Sequence, residues 1–249
     1  MSRHRFCGEF NFEVAGVDIK YMIDLINYLA SKKIIIVCGH FGSGKSNISV
    51  NLSVKLKEQT GLVYTLVDLD IVNPYFRSAD SIKDLRERGI DSIIPEFANT
   101  NVDIPAVPAE IYSVFINDRR AVIDVGGDER GAVALGMFAE KIKAADNNYE
   151  MIYVVNKYRN LISDVESAVN LAKFIEKNSK LKITSLINNS NIGNLTTEKE
   201  ILDSIIYAQN AANLLNIYFL GTSSMIDVDF SVEREYNIFK INNYTKKLF

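Results

Sequence analysis

The chain has 249 residues, a net charge of −3 and a pI near 5.6, a balance that argues against a dominant nucleic-acid-binding surface. Apolar residues make up 47%, enough to bury a sizeable core. Two separate cysteines, Cys7 and Cys38, fit a reducing cytoplasm and supply no cysteine-based metal site within one chain. No apolar run reaches membrane-spanning length and no signal-peptide core opens the chain, so a cytoplasmic protein without membrane contact is expected.

In residues 1–32, Phe10, Phe12 and Val14 alternate with polar residues as a short strand does. Ile19, Met22, Ile23, Ile26 and Leu29 then recur at helical spacing, predicting a helix packed on the sheet edge. The next stretch, Ile34 to Val37, is apolar and runs into Gly39-His40-Phe41-Gly42-Ser43-Gly44-Lys45-Ser46, the pattern G-x-x-x-x-G-K-S. A helix-compatible segment from Asn47 follows. Strand, glycine-rich loop and helix together are what a phosphate-binding P-loop needs. Its backbone N–H groups converge on phosphate oxygens, and the helix N-terminus adds partial positive charge. Lys45 is placed to reach the β- and γ-phosphates and the Ser46 hydroxyl to bind Mg²⁺.

Beyond the loop the chain alternates predicted strands at 34–38, 62–69, 121–125, 151–155, 183–187 and 217–220 with predicted helices at 47–57, 132–144, 162–176 and 198–214. Apolar runs without clean alternation mark strands covered on both faces, so the expected fold is α/β: a mostly parallel twisted sheet between helical layers. Residues 71–108 hold all four prolines and read as an irregular insertion over the site or as scaffold loops, with one plausible helix at 79–88. The whole chain, 1–249, reads as one nucleotide-binding domain with an extension at 1–32 and a tail at 226–249. In that tail apolar residues mingle with Lys240, Lys246 and Lys247, and Asn242-Asn243 weakens a helix. A packed or loose tail is expected rather than a membrane anchor.

The second strand ends in Asp68-Leu69-Asp70, whose side chains share a face. One carboxylate could hold a magnesium-bound water while the other orients the water that attacks the γ-phosphate. The strand at 121–125 carries Asp124 near its end, the Walker-B arrangement beside Mg²⁺. Gly127 completes D-x-x-G, where an N–H approaches the γ-phosphate. After the strand at 183–187, Asn188 is placed to hydrogen-bond a base edge. The motif Asn188-Asn189-Ser190-Asn191 ends without the Asp that guanine needs, which favours ATP over GTP; Asn156-Lys157-Tyr158-Arg159 likewise lacks it.

Together the P-loop, Asp68 and Asp70, Asp124 with Gly127, and the late Asn188 resemble the ParA/MinD/CobQ/CobB-type branch of P-loop nucleotide-binding proteins over about residues 33–225. The resemblance implies an ATP- and Mg²⁺-dependent nucleotide switch with ATPase activity. Lys45 and Asp70 would be catalytic. Gly39 to Asn47, Gly127 and Asn188 would bind nucleotide, and Ser46, Asp68 and Asp124 would hold the metal. An enzyme like the cobyrinate and dethiobiotin ligases is the alternative, with a nucleotide-binding scaffold or metallochaperone third. Implied partners are a second copy of the chain, an unidentified protein or a small-molecule substrate. ParA-like members carry a lysine after the first P-loop glycine, and here His40 stands there, which weighs against a nucleotide-sandwich dimer. Arg77, Arg130 or a partner protein are the candidate compensating cations.

Overall fold

The computed structural model describes residues 25–70, 79–94, 109–116, 119–144, 148–227 and 237–244. Within them an eight-stranded, all-parallel sheet runs in the order β3-β2-β4-β1-β5-β6-β7-β8. Its strands are β1 (Ile34–Gly39), β2 (Tyr64–Leu69), β3 (Ser92–Ile93), β4 (Arg120–Val125), β5 (Tyr149–Val155), β6 (Ser185–Asn188), β7 (Tyr218–Ser224) and β8 (Ile238–Lys240). The helices between them are α1 (Leu25–Ala30), α2 (Lys45–Thr60), α3 (Ala79–Glu87), α4 (Ala109–Ile116), α5 (Glu129–Gly136), α6 (Ala139–Ala144), α7 (Val165–Ser179) and α8 (Glu198–Leu215). This is the expected α/β architecture with helices on both faces.

The central strands show why. Every residue of β1 is buried, and strand alternation divides them between two cores. Ile34, Ile36 and Cys38 join β4 and β5 residues under α5, α6, α7 and α8. Ile35 and Val37 face the other way, with Val122, Ile152 and Val154, under α1 and α2. Burying each such side chain contributes about 1.5–3 kcal/mol, and only a sheet covered twice buries both sets. On this parity Asp124, two residues after Val122, faces α2. So does Asp68, two residues after Leu66.

Helix α2 is buried along most of its length although it carries Ser49, Asn51 and Ser53. Each of these returns a donor to the carbonyl one turn back: Ser49 Oγ to Lys45 O at 3.0 Å, Asn51 Nδ2 to Asn47 O at 2.8 Å and Ser53 Oγ to Ser49 O at 2.9 Å. Their polarity is thus satisfied inside the helix. At the opposite end of the sheet from the P-loop, buried Glu150 accepts from Tyr28 Oη at 2.7 Å and Thr184 Oγ1 at 2.7 Å. Lys32 lies 3.5 Å from the same carboxylate. That network docks α1.

Four elements depart from the sequence reading, one of them the two-residue β3, which was not among the predicted strands. The predicted helix at 132–144 is two helices, α5 and α6: α5 ends at Gly136, where a Cβ would lie 2.7 Å from Asn178 O, and Phe138 beyond it packs on Tyr112 and Phe115 of α4. Helix α4 itself was not anticipated. The segment read as a tail contributes β8, paired in register with β7 from Thr222↔Ile238 to Ser224↔Lys240. Residues 241–244 then run along α2, where Asn242 N donates to Asn51 Oδ1, Asn51 Nδ2 to Asn242 O and Tyr244 N to Asn47 Oδ1. The strand expected around Phe10 to Val14, most of the insertion and the end of the tail lie outside the described residues. Among the described residues no helix is long and apolar enough to cross a membrane.

Candidate nucleotide site

The site forms where β1, β2 and β4 end. Strand β1 stops at Gly39, the loop turns through Gly42 at φ +75° and Gly44 at φ +88°, and α2 starts at Lys45. Gly44 is required twice over: its φ is left-handed, and a Cβ there would collide with the Asn189 amide. Ser43 is fully buried and its hydroxyl has no hydrogen-bond partner. Lys45 is buried, and its Nζ donates to His40 O at 2.9 Å. Burial lowers the Lys45 pKa, opposed by Asp124, Asp70, Cys38 and Asp128. Three carboxylates thus act on one buried ammonium.

Asp124 lies opposite the first turn of α2. It is 1% exposed, and its Oδ1 lies 3.2 Å from Ser49 Oγ, whose one proton is shared between this carboxylate and Lys45 O. Its other oxygen, Oδ2, is buried without a hydrogen-bond partner. Burial pushes the carboxyl up to about 6 and Asp70 adds to the rise, while Ser46, Lys45 and Ser49 oppose it. The Ser46 hydroxyl is therefore close enough to favour the charged form, although it does not satisfy Oδ2. An orphaned carboxylate oxygen beside a serine hydroxyl, at the foot of a phosphate loop, fits a divalent cation. No group of three or more acidic, histidine or cysteine side chains among the described residues could hold a metal by itself. Ser46 and Asp124 would have to share the ion with phosphate oxygens and water.

Asp68 pairs in register with Asp124 across β2 and β4. Its Oδ1 accepts from Asp70 N at 2.8 Å, so it holds the backbone at the strand end. The half-buried Asp70 reaches toward Gly126, where a Cβ would stand 3.3 Å from its Oδ1. Gly127 is closer still to the loop: a Cβ would sit 2.5 Å from Phe41 N and 2.8 Å from Lys45 Nζ. Only a residue without a side chain lets this segment lie against the P-loop. Asp128 caps α5, accepting from Gly131 N at 3.0 Å.

Other expected residues hold different positions. Asn188 is fully buried; its Nδ2 donates to Ser204 Oγ and Thr222 Oγ1, and its Oδ1 accepts from Ser190. Its amide is spent inside the protein, which corrects the expectation that it meets a base edge. The Asn47 side chain likewise accepts from Tyr244 N rather than turning toward the loop. His40 is half-buried with Nδ1 2.6 Å from Phe41 O, and Phe41 is 60% exposed. Arg130 is exposed on α5, and Arg77 lies outside the described residues.

Two residues that sequence reasoning passed over touch the loop directly. Asn189 Nδ2 donates to Ser43 O at 2.7 Å, and Arg159 Nε donates to Gly42 O at 2.9 Å. Beside them a recess is lined by Asn189, Ser190, Asn191, Ser223, Ser224 and Met225 at the ends of β6 and β7. No carboxylate lines it among the described residues.

The parallel sheet with a glycine-rich loop between β1 and α2 is an α/β fold of the P-loop NTPase type. Among solved structures the chain is similar to the signal recognition particle 54 kDa protein of Aeropyrum pernix K1 in complex with GDP. The TM-score is 0.52 at 17% identity, over 80% of this chain and 45% of that one. It is also similar to the signal recognition particle receptor FtsY of Elizabethkingia anophelis, with a TM-score of 0.50 at 19% identity over 88% of this chain and 66% of that one. A nucleotide-binding protein of Archaeoglobus fulgidus in complex with ADP aligns at 14% identity and a TM-score of 0.44, over 84% of this chain and 87% of that one. The chain thus spans about half of the 54 kDa protein's solved chain (45%), and at these identities the shared property is the fold. No family model and no curated protein matches the sequence.

Proposed function

We propose that this protein binds ATP with Mg²⁺ and hydrolyses it slowly, as a nucleotide-dependent switch of the ParA/MinD-like kind. The observation that carries the reading is Asp124: a buried carboxylate with one unpartnered oxygen, set beside Ser46 and Lys45 at the root of the P-loop. In the proposal the loop amides and Lys45 bind the phosphates, while Ser46 and Asp124 hold Mg²⁺. The metal supplies neutralisation of the phosphate charge. Asp70, held at the strand end by Asp68, orients the attacking water, and Gly127 lets its backbone N–H reach the γ-phosphate. The base lies in the recess beside Asn189 to Asn191. The preference for adenine rests on Asn188-Asn189-Ser190-Asn191, which lacks the Asp that guanine needs.

The test is phosphate release from ATP with Mg²⁺ by the wild type, Lys45→Ala and Asp70→Ala. Both variants are expected to fall by about 100-fold or more. Equal rates in all three would sink the assignment. His40, standing where a trans-acting lysine is found in ParA-like proteins, favours one second reading: an ATP-dependent ligase of the cobyrinate or dethiobiotin type. Turnover that stays slow until one metabolite is added marks the ligase. Turnover that responds to a protein partner or a second copy of the chain marks the switch.

A further inference from the structure

Two consecutive carbonyls at the tip of the P-loop are held by side chains from two other loops. Arg159, after β5, donates Nε–H to Gly42 O at 2.9 Å, and Asn189, after β6, donates Nδ2–H to Ser43 O at 2.7 Å. In a phosphate-binding loop the N–H groups converge inward, so the carbonyls of the same peptides must turn outward. Gly42 and Gly44 flank these peptides at positive φ, where no Cβ resists rotation. Within the loop the Gly42–Ser43 peptide is held by Ser43 N donating to His40 O at 3.1 Å. The two outside donors hold the carbonyls of this peptide and the next.

Each donor is itself held. Asn189 is 5% exposed, and its Oδ1 accepts from Ser223 Oγ at 2.6 Å, which sets its amide group with the nitrogen toward the loop. The segment carrying Arg159 is anchored on α8, where Lys157 Nζ donates to Asp203 O at 2.9 Å and Tyr158 Oη to Glu200 O at 2.8 Å. The two segments are also joined to each other: Asn156 Nδ2 donates to Asn191 O, Asn191 N to Asn156 Oδ1, and Lys157 N to Ser190 Oγ. They form one polar unit that lines the recess on one side and grips the loop on the other.

We propose that Arg159 and Asn189 are positioning residues that hold the Gly42 and Ser43 carbonyls turned outward and so fix the shape of the phosphate loop before a ligand arrives. The inference rests on the nucleotide reading above and adds the residues that preorganise its phosphate site. Because the loop is ordered in advance, binding does not have to bear the cost of fixing it.

The experiment measures equilibrium binding of ATP and of inorganic tripolyphosphate, both with Mg²⁺, to the full chain and to Arg159→Ala, Arg159→Lys, Asn189→Ala and Lys45→Ala. The two brace-removing variants are expected to lose about 10-fold or more in affinity for both ligands; Arg159→Ala, at an exposed site, keeps a melting temperature close to wild type, whereas Asn189→Ala, which leaves buried partners unpaired, also lowers it. Arg159→Lys is expected to recover most of the loss, since an ammonium can also donate to Gly42 O. A loss confined to ATP, with tripolyphosphate unaffected, assigns these residues to the base and overturns the proposal. An Arg159→Lys variant as weak as Arg159→Ala overturns the Gly42 bond as the cause. Brace variants that bind like wild type, while Lys45→Ala does not bind, overturn this inference and leave the nucleotide reading standing. A wild type that binds neither ligand overturns both.

Discussion

The charge stored at Asp124 gives the sharpest prediction. Its carboxyl is pushed from 3.8 to about 6 in the folded chain, chiefly by burial, and the attraction of Lys45 is already included in that value. The folded state therefore holds the Asp124 proton more tightly than the unfolded state does. Stability on this account falls as pH rises from about 4 to about 6, and the loss is complete above that window. Two pKa units at 1.36 kcal/mol each amount to about 3 kcal/mol of destabilisation at pH 7.5. Asn at this position keeps an oxygen for Ser49 to donate to and carries no charge. Asp124→Asn is expected to be more stable than wild type by about 3 kcal/mol at pH 7.5, and nearly equal to it at pH 4. In the same variant Mg²⁺-dependent nucleotide binding is expected to be lost, because in the proposed function the charge that costs stability is also the one that holds the metal. Urea denaturation of both proteins at the two pH values, without nucleotide or metal, measures the difference. A variant less stable than wild type at pH 7.5, or an equal gap at both pH values, would refute the reasoning.

Gly127→Ala places a methyl 2.5 Å from Phe41 N, so the segment must back away from the loop. Phosphate release is expected to drop by about 10-fold or more with little change in ATP affinity; unchanged turnover contradicts a role for that close approach. Asn51→Ala removes both bonds between α2 and the backbone of Asn242. It is expected to cost about 1–3 kcal/mol in denaturant unfolding, and no loss would show that residues 241–244 are not held there.

Most of the fold was legible in the sequence because its strands are apolar on both faces. Ile34 to Val37, Ala121 to Ile123 and Met151 to Val155 leave no solvent face, and that alone demands helices above and below. What escaped depends on partners distant in the chain. The residues from Ala132 to Ala144 have good helical propensity except at Gly136, where α5 ends, and beyond it Phe138 packs on aromatic rings of α4. Strand β8 is short and mixed in polarity, and exists because β7 offers it an edge.

The site divides in the same way. The P-loop and the Asp124 strand are local patterns whose chemistry follows from their own residues. Asn188 was misread because its position, at a strand end beside the site, suggests a ligand, whereas its partners Ser204 and Thr222 come from α8 and β7. Asn189, one residue later, is the one that reaches the loop. Arg159 stood in a segment compared only with a guanine motif, and its contact with Gly42 spans 117 residues of sequence. Arg159 follows β5, which neighbours β1, and Asn189 follows β6, the next strand out; a polar residue shortly after each strand was the signal present in both cases.

The central claim is that the loop from Gly39 to Ser46 binds a nucleotide phosphate with the help of Lys45. Isothermal titration of ATP into the full chain, with and without Mg²⁺, tests it most directly when run beside Lys45→Ala. Saturable one-to-one binding is expected, strengthened by Mg²⁺, preferring ATP to GTP and weakened by about 100-fold in the variant. Absence of binding at millimolar ATP, or equal affinity in Lys45→Ala, would contradict it.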